Sequence, residues 1–257
     1  MSLKSVSEIK EEFMSLTPEE IPDRIRLYAD DGRKGVRTLL AAQEKKLIRL
    51  REEKERVEQM CAYEKKYSDH AMICGIDEVG RGPLAGPVVA GAVILPKDCR
   101  ILYINDSKKL SAAKREELYE IICAEAVSVG IGMANHTRID EINILQATYE
   151  AMREAVSHLS VAPDLLLNDA VRIPGVSVPQ VPIIKGDAKS ISIAAASIVA
   201  KVVRDRMMTE FAGIYPGYGF ESNKGYGSKE HMEALRRLGP CPIHRRSFIG
   251  NIVSGES

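Results

Sequence analysis

Four acidic residues occupy positions at which an α/β protein can present ligands to solvent. Asp77 and Glu78 close one short apolar run, and Asp169 closes another. Asp187 directly precedes a long run of small and apolar residues. Because binding sites in open α/β sheets form beyond the carboxyl ends of the strands, acids at these ends are candidates for a shared site.

Four carboxylates brought together without a cation would raise one another's pKa values and oppose folding. Divalent cations remove this repulsion, and ligands that are all oxygen suit Mg²⁺ or Mn²⁺ better than zinc. Such a cluster supports hydrolysis of a phosphodiester with two metal ions. Each acid taken alone could instead be a helix cap or a surface charge, and this alternative is most serious for Asp187.

Asp77 and Glu78 are adjacent, so within a strand their side chains would point to opposite faces. We therefore expect strand pairing to stop at this pair, where Gly80 and Gly82 allow the backbone to turn.

Large side chains between glycines mark candidate contacts with a substrate. Arg81 lies between Gly80 and Gly82, which lets its guanidinium and the nearby amides approach a phosphate or sugar. Tyr226, also between glycines, can stack on a sugar or a base. Further basic residues could ring the acids: Lys108 and Lys109, Lys185, Lys189, Lys224 and the pair Arg245–Arg246. For most of these lysines, a solvated surface is the simpler interpretation.

Two segments resemble nucleotide-binding motifs but fail their structural requirements. Residues 80–85 fit G-x-G-x-x-A, but Pro83 and Pro87 lead into a second apolar run, whereas a dinucleotide fingerprint must open a helix. The segment around Lys185–Ser190 lacks the glycines of a phosphate loop. Neither motif supports a nucleotide site.

Apolar periodicity predicts an α/β domain from residue 71 onward. Strands are predicted at 72–77, 88–95, 127–133, 165–167 and 181–184, and helices at 112–126, 139–159 and 190–214, with a last helix after Ser228. This alternation favours a mixed central sheet flanked by helices. Residues 1–70 are rich in helix formers and predict an N-terminal helical extension, leaving residues 71–257 as the catalytic domain.

Composition limits the class of protein. Lysine plus arginine equal aspartate plus glutamate at 36 each, which argues against nucleic-acid binding by bulk charge but permits a local basic face. The five cysteines are scattered, so neither a disulfide framework nor a zinc site is expected. No apolar run approaches the length of a membrane span, and no signal peptide is evident. We expect a cytoplasmic protein.

Long motifs resemble the ribonuclease HII family. They are GIDEVGRGPLAGPVVAGAVIL, DSKKLS, KGDAKSISIAAASIVAKVVRD, YGFESNKGYGSKEH and HRRSF, spread between about residues 72 and 249. The resemblance implies an RNase H-like fold and an endonuclease that cuts RNA in RNA–DNA hybrids. It also implies incision on the 5′ side of a single ribonucleotide in duplex DNA, with 5′-phosphate and 3′-hydroxyl ends, as in ribonucleotide excision repair.

The resemblance also implies roles for individual residues. The family's four carboxylates, which hold two Mn²⁺ or Mg²⁺ ions with substrate, match Asp77, Glu78, Asp169 and Asp187. Its element that senses the 2′-hydroxyl matches Gly80, Arg81 and Gly82, and its junction-reading tyrosine matches Tyr226. Lys108 and Lys185 are further candidates for substrate binding. Asn168 departs from the family's usual apolar residue.

Other interpretations stay open. The sister family, ribonuclease HIII, usually has lysine in place of Arg81 and is the runner-up. A nucleic-acid binding module without catalysis, or a metal phosphohydrolase acting on small substrates, would be of another class. The implied partner is an RNA–DNA hybrid or a duplex containing ribonucleotides, with no membrane, and the protein is expected to be a monomer.

Overall fold

The computed structural model describes residues 4–253 of the chain. It forms two compact units, Met1–Glu58 and Gln59–Ser257. The helices are α1 (Val6–Ser15), α2 (Ile21–Leu27), α3 (Lys34–Met60), α4 (Ala62–Lys66), α5 (Ala112–Glu125), α6 (His136–Ser157), α7 (Ile191–Ile214), α8 (Phe220–Asn223), α9 (Lys229–Leu238) and α10 (Arg246–Val253). The strands are β1 (Ile73–Val79), β2 (Val88–Ile94), β3 (Ser128–Ala134), β4 (Leu165–Asp169) and β5 (Gln180–Ile183).

The first unit is helical, in agreement with the predicted N-terminal extension. Ser5 begins α1 with a capping box, in which its hydroxyl accepts from the Glu8 N–H and the Glu8 carboxylate accepts from the Ser5 N–H. A small apolar core joins α1, α2 and α3 through Ile9, Ile21 and Val36. Because this core belongs to the first unit, the extension has its own packing centre.

The second unit is built on one five-stranded sheet in the order β3-β2-β1-β4-β5. β1 pairs antiparallel with β2 and parallel with β4, β2 pairs antiparallel with β3, and β4 pairs parallel with β5. The prediction of a mixed sheet flanked by helices is therefore confirmed.

Glycines let two long helices lie directly on the sheet. A Cβ atom at Gly75 of β1 would lie 2.1 Å from the Ser192 carbonyl carbon of α7, and one at Gly91 of β2 would lie 2.6 Å from the Ala196 carbonyl oxygen. On β3, a Cβ at Gly132 would lie 2.1 Å from the Ala151 carbonyl oxygen of α6. Side chains alternate between the faces of a strand, so this register places α7 on one face and α6 on the other.

The expectation that pairing stops at Asp77 and Glu78 is wrong on one side of β1. Pairing with β2 continues through both residues to Val79, which faces Val89. Pairing with β4 does stop, and its last pair is Ile76 with Asn168. The two acids therefore lie in a strand that has lost one neighbour, which opens the sheet edge around them.

Among the described residues, 4–253, no helix is both long enough and apolar enough to cross a membrane.

Candidate active site

Strand register places Asp77 beside Asp169. Ile76 and Asn168 form the last pair of β1 with β4, and the two acids are the next residues along the parallel strands. Asp77 lies two residues after Gly75, and Asp169 lies two residues after Leu167. Because residues two apart in a strand share a face, both acid side chains lie on the face covered by α7. Sequence alone predicted acids at strand ends, whereas their pairing results from the register of β1 against β4.

Asp77 is buried, with 7% of its surface exposed. Its carboxylate accepts a hydrogen bond from the Glu78 N–H at 2.8 Å, and the nearby Ser197 hydroxyl of α7, which donates to the Ser107 hydroxyl at 2.9 Å, acts to lower its pKa. Burial, followed by the charge of Glu78, raises the pKa of Asp77 well above its ordinary value, and the charge of Asp169 adds to this. The structure thus holds a carboxylate in a place that disfavours its negative charge.

Glu78 points to the opposite face but remains within electrostatic range of Asp169 because β4 has ended. Burial raises the pKa of Glu78, and the charge of Arg81 opposes that rise. The Arg81 Nη1 atom lies 3.3 Å from the Glu78 Oε1 atom. The predicted substrate contact is therefore joined directly to one of the predicted metal ligands.

Asp169 and Asp187 are linked through the 3₁₀ turn Gly186–Ala188. The Gly186 N–H donates to Asp169 Oδ1 at 2.8 Å. Burial raises the pKa of Asp187, and the nearby charges of Asp106 and then Asp169 raise it further. The structure therefore brings all four predicted acids into one electrostatic neighbourhood.

The predicted lysines differ in placement. The charge of Lys108 lowers the pKa of both Glu78 and Asp187, so it lies within range of the acids. Lys185 is exposed in left-handed backbone, with φ of 57°, two residues before Asp187. Among residues 4–253, no hydrogen bond or ion pair joins Lys185 to the four acids.

The turn after β1 requires glycine. Gly80 has φ of +91°, and a Cβ atom there would lie 2.3 Å from the Arg204 Nε atom. Gly82 is exposed, and a Cβ at this position would lie 4.0 Å from the Tyr226 Cε1 atom. Tyr226 is 39% exposed although its ring is large and partly apolar. The Gly80–Gly82 turn and the Tyr226 ring therefore share one surface beside the acids.

Asn168 lies on the face of β4 opposite Asp169. It is fully buried, and its Nδ2 atom donates to Gln180 Oε1 at 2.8 Å. Its Oδ1 atom is buried without a hydrogen-bond partner within the described part of the chain. Asn168 thus serves the packing of β4 on β5 rather than contacting the carboxylate of Asp169.

Several residues of this region were not predicted as parts of the site. Ser197 acts to lower the pKa of Asp77, and the charge of Asp106 raises that of Asp187. The segment DSKKLS was the only sequence signal for Asp106. The expectation that Arg245 rings the acids from the surface is wrong. Arg245 has no exposed surface and donates only to backbone carbonyls in the described structure. Arg204 is buried in the same way.

Two buried histidines lie beneath Tyr226. The Nδ1 atom of His231 lies 2.8 Å from the Tyr226 carbonyl, so it donates, and its Nε2 atom lies 3.0 Å from Nε2 of His244. His244 therefore donates through Nε2, while its Nδ1 atom accepts from the Cys241 N–H. This arrangement requires both rings to be neutral.

The pKa of His244 gives a testable pH dependence of stability. Burial, then the unfavourable electrostatic effect that His231 would have on a protonated His244, lowers the pKa of His244 from 6.5 to about 4. The unfolded chain takes up this proton below its ordinary pKa and the folded chain does not, so stability present above about pH 6.5 is lost as pH falls toward 4. Between pH 7 and pH 5, we expect wild type to lose up to about 2 kcal/mol more than His244→Gln.

Urea denaturation in the presence of a chelator measures this difference. The comparison with His244→Gln is necessary because the raised pKa values of Asp77, Glu78 and Asp187 change stability with the opposite sign. Parallel pH dependences of the two proteins would contradict the prediction.

The ligand atoms available at this site are of the kind that binds a divalent cation. All four acids offer carboxylate oxygens, and burial and mutual repulsion raise the pKa values of three of them. A bound cation would relieve that repulsion. Within residues 4–253, however, no group of three or more His, Cys, Asp and Glu side chains already surrounds one point closely enough to hold a metal ion. The site thus fits a cation in chemistry and charge without a closed cage.

Solved structures define the class of the protein. Ribonuclease H2 from Pyrococcus horikoshii OT3 matches with a TM-score of 0.61 and 26% identity, over 72% of this chain and 98% of that chain. The structure of a PCNA:RNase HII complex from Archaeoglobus fulgidus matches with a TM-score of 0.58 and 28% identity, over 68% and 94%. The fold is therefore that of the RNase H-like proteins, and the class is ribonuclease H.

Sequence comparison then identifies the family. A family model described as ribonuclease HII matches residues 74–251, and one described as ribonuclease HII N-terminal domain matches residues 5–68. The ribonuclease HII of Lachnoclostridium phytofermentans is 66% identical over 88% of this chain and 89% of that protein. That of Clostridioides difficile is 53% identical over 98% and 100%. This chain belongs to the ribonuclease HII family, which confirms the prediction made from its motifs.

Family membership makes the protein an endonuclease that hydrolyses RNA in RNA–DNA hybrids.

Proposed function

We propose that this enzyme incises duplex DNA on the 5′ side of a single embedded ribonucleotide, leaving 5′-phosphate and 3′-hydroxyl ends. One observation carries the proposal: Arg81 of the Gly80–Gly82 turn lies 3.3 Å from Glu78, so a surface able to contact a sugar adjoins the carboxylates. The 2′-hydroxyl distinguishes RNA from DNA, and closely approaching backbone amides can bind it.

In this proposal Asp77, Glu78, Asp169 and Asp187 would hold two divalent cations, Mg²⁺ or Mn²⁺. The ions, when bound, would activate water and stabilise the leaving oxygen of the phosphodiester. The protein's own contribution is orientation. The Glu78 N–H donates to the Asp77 carboxylate, and the Gly186 N–H donates to that of Asp169.

Recognition would use the adjoining surface. The amides of Gly80, Arg81 and Gly82 would contact the ribose, and Tyr226 would stack on the deoxyribose that follows it. Lys108 lies near two of the acids, where its charge would attract a backbone phosphate. Lys185 is exposed beside the Gly186–Ala188 turn and is proposed as a more peripheral contact of the same kind.

A nicking assay tests this function. The substrate is a duplex with one ribonucleotide, and the matched control is the same duplex made entirely of DNA. With Mg²⁺ or Mn²⁺ we expect a single nick in the first and none in the second. A binding module would bind the duplex without a nick, and a small-substrate phosphohydrolase would act on a mononucleotide ester instead. Either outcome would refute the proposal.

The proposed division into an extension, 1–70, and a catalytic domain, 71–257, leads to a prediction about truncation. Glu64 of α4 accepts from the Ser190 hydroxyl at 2.6 Å and from the Ser192 N–H at 3.1 Å, at the start of α7. A chain starting at residue 71 loses these bonds, whereas one starting at residue 59 retains them. We therefore expect the shorter chain to be less stable by about 2 kcal/mol or more.

Urea denaturation of both truncated chains measures the difference, and full-length Glu64→Ala serves as the matched control. Equal stability of the two chains would support residue 71 as the start of an independent domain. Gel filtration of the same samples tests the proposal that the enzyme is a monomer.

A further inference from the structure

Arg245 binds the turn that contains the proposed ribose contacts. Its guanidinium donates from Nη2 to the Gly80 carbonyl at 2.6 Å and from Nη1 to the Arg81 carbonyl at 3.0 Å. Its Nε atom donates to the Gly86 carbonyl at 2.9 Å. Because three of its N–H groups donate to three carbonyls of this loop, the buried Arg245 side chain constrains the backbone of residues 80–86.

Arg204 of α7 joins that loop to the segment bearing Tyr226. It donates from Nε to the Pro87 carbonyl at 2.9 Å and from Nη2 to the Ala85 carbonyl at 3.2 Å. Its Nη1 atom donates to the Lys224 carbonyl at 2.9 Å. The Arg204 guanidinium carbon also lies 5.7 Å from the centroid of the Tyr226 ring. One side chain thus contacts both halves of the recognition surface.

His231 holds Tyr226 from the other side. Its Nδ1–H donates to the Tyr226 carbonyl at 2.8 Å, and the neighbouring His244 fixes this tautomer. His244 also lies in an isolated antiparallel bridge with Ala85, inside the loop that Arg204 binds. The two loops are therefore connected through buried side chains on both sides.

These arginines are unusual in their surroundings. Both are fully buried, and among the described residues neither guanidinium lies within ion-pair distance of a carboxylate. Their donors are used on backbone carbonyls. Burial of an arginine without an acidic partner opposes folding, and here the hydrogen bonds to loop carbonyls, which an apolar side chain would leave unpaired, offset that cost.

We propose that Arg204, Arg245 and His231 are positioning residues that fix the Gly80–Gly82 turn relative to Tyr226 and so determine the preference for a single ribonucleotide. This inference rests on the proposed function, because it assigns the two loops to the ribose and to the deoxyribose after it. Reading a junction needs both contacts at one separation, whereas a long hybrid offers a ribose at every position and tolerates a change in that separation.

Two amide substitutions at His231 provide a matched test. The amide nitrogen of asparagine takes the place of Nδ1, so His231→Asn keeps the bond to the Tyr226 carbonyl and loses that to His244. Glutamine takes the place of Nε2, so His231→Gln keeps the second bond and loses the first. The measured quantity is the ratio of kcat/KM on the single-ribonucleotide duplex to kcat/KM on a long hybrid.

We expect His231→Gln to lower this ratio by about tenfold or more, and His231→Asn to stay within about threefold of wild type. Arg245→Lys keeps the charge but cannot reach three carbonyls, so it should behave like His231→Gln. The control is His158→Leu, because His158 contacts the Ile131 carbonyl of the edge strand β3 at 2.6 Å and, among the described residues, makes no hydrogen bond to the two loops. Its ratio should match that of wild type.

Thermal unfolding of each variant separates positioning from stability. Equal losses on both substrates, or equal ratios for the two His231 variants, would overturn the inference. The variants His231→Asn and His231→Gln differ mainly in the position of the amide group. Comparing them therefore tests the inference even if Arg245→Lys does not fold. A wild-type enzyme that cleaves hybrids without incising single ribonucleotides would instead refute the proposed function, and the inference with it.

Discussion

Asp77→Asn is expected to reduce incision by about a thousandfold or more while leaving the metal-free protein as stable as wild type or more stable. Asparagine keeps the oxygen that accepts from the Glu78 N–H. It removes a negative charge that burial and the charge of Glu78 disfavour, as the raised pKa of Asp77 indicates. Since ionisation of a group with a raised pKa destabilises the folded state near neutral pH, its removal does not weaken the fold.

Asp164→Asn is the matched control and should show the opposite result. Asp164 precedes β4, away from the end of that strand where Asp169 lies. Its carboxylate accepts from the Ala71 N–H at 2.7 Å and the Met72 N–H at 3.0 Å. Burial opposes its ionisation, but these hydrogen bonds prevail and lower the pKa of Asp164. We expect this variant to retain activity and to lose about 1 kcal/mol of stability.

Metal binding supplies a readout that does not depend on turnover. Mn²⁺ should raise the unfolding temperature of wild type and of Asp164→Asn but have a much smaller effect on Asp77→Asn. Retained incision by Asp77→Asn, or an equal Mn²⁺ response of all three proteins, would contradict the assignment of Asp77 as a metal ligand.

Tyr226→Ala is expected to lower kcat/KM on the single-ribonucleotide duplex by about ten- to a hundredfold, with a much smaller effect on a long hybrid. A ring that stacks on a sugar or base contributes about 1–3 kcal/mol. The ring is 39% exposed, and its inner face lies over the buried Arg204 and within 6.0 Å of the Lys201 amine. These contacts orient the ring toward solvent without burying it, as a stacking surface requires.

Tyr226→Phe is the control for the hydroxyl group. It retains the ring and its contact with Arg204, so we expect both activities to stay within about threefold of wild type. Thermal unfolding should show similar stability for the two variants because Tyr226 is 39% exposed. If Tyr226→Ala lowered both activities equally, Tyr226 would have no role in reading the junction.

Local sequence predicted the elements of the sheet because their signals are local. The strand at 165–167 was found from three successive leucines after Pro163, and the structure extends it to Asp169. A run of small apolar residues predicts the long helix at 190–214, and it occurs at Ile191–Ile214. Sequence could not show that pairing continues through Asp77, because a strand does not reveal which of its two sides has a neighbour.

The burial of Arg245 could not be predicted from composition or residue spacing. In the sequence it belongs to a pair of arginines in a polar segment, which is typical of surface charge. The structure buries Arg245 and leaves Arg246 exposed, because only a loop about 160 residues earlier in the chain offers carbonyls to satisfy the guanidinium. His231 and His244 gave no signal although their partners lie within 13 residues in the sequence, because these contacts follow no helical or strand period.

The amino-acid sequence by itself determined the family, and it predicted the five strands, the long helices and the four candidate acids, because motifs and periodicity are written along the chain. It missed α8 and α10, so the helix predicted as the last is followed by another. Tertiary structure decided which acids become neighbours. The parallel register of β1 with β4 brings Asp77 beside Asp169, and the turn before α7 adds Asp187. It also decided that the turn around Arg81 and the loop of Tyr226 form one surface, since buried guanidinium groups connect them across the fold.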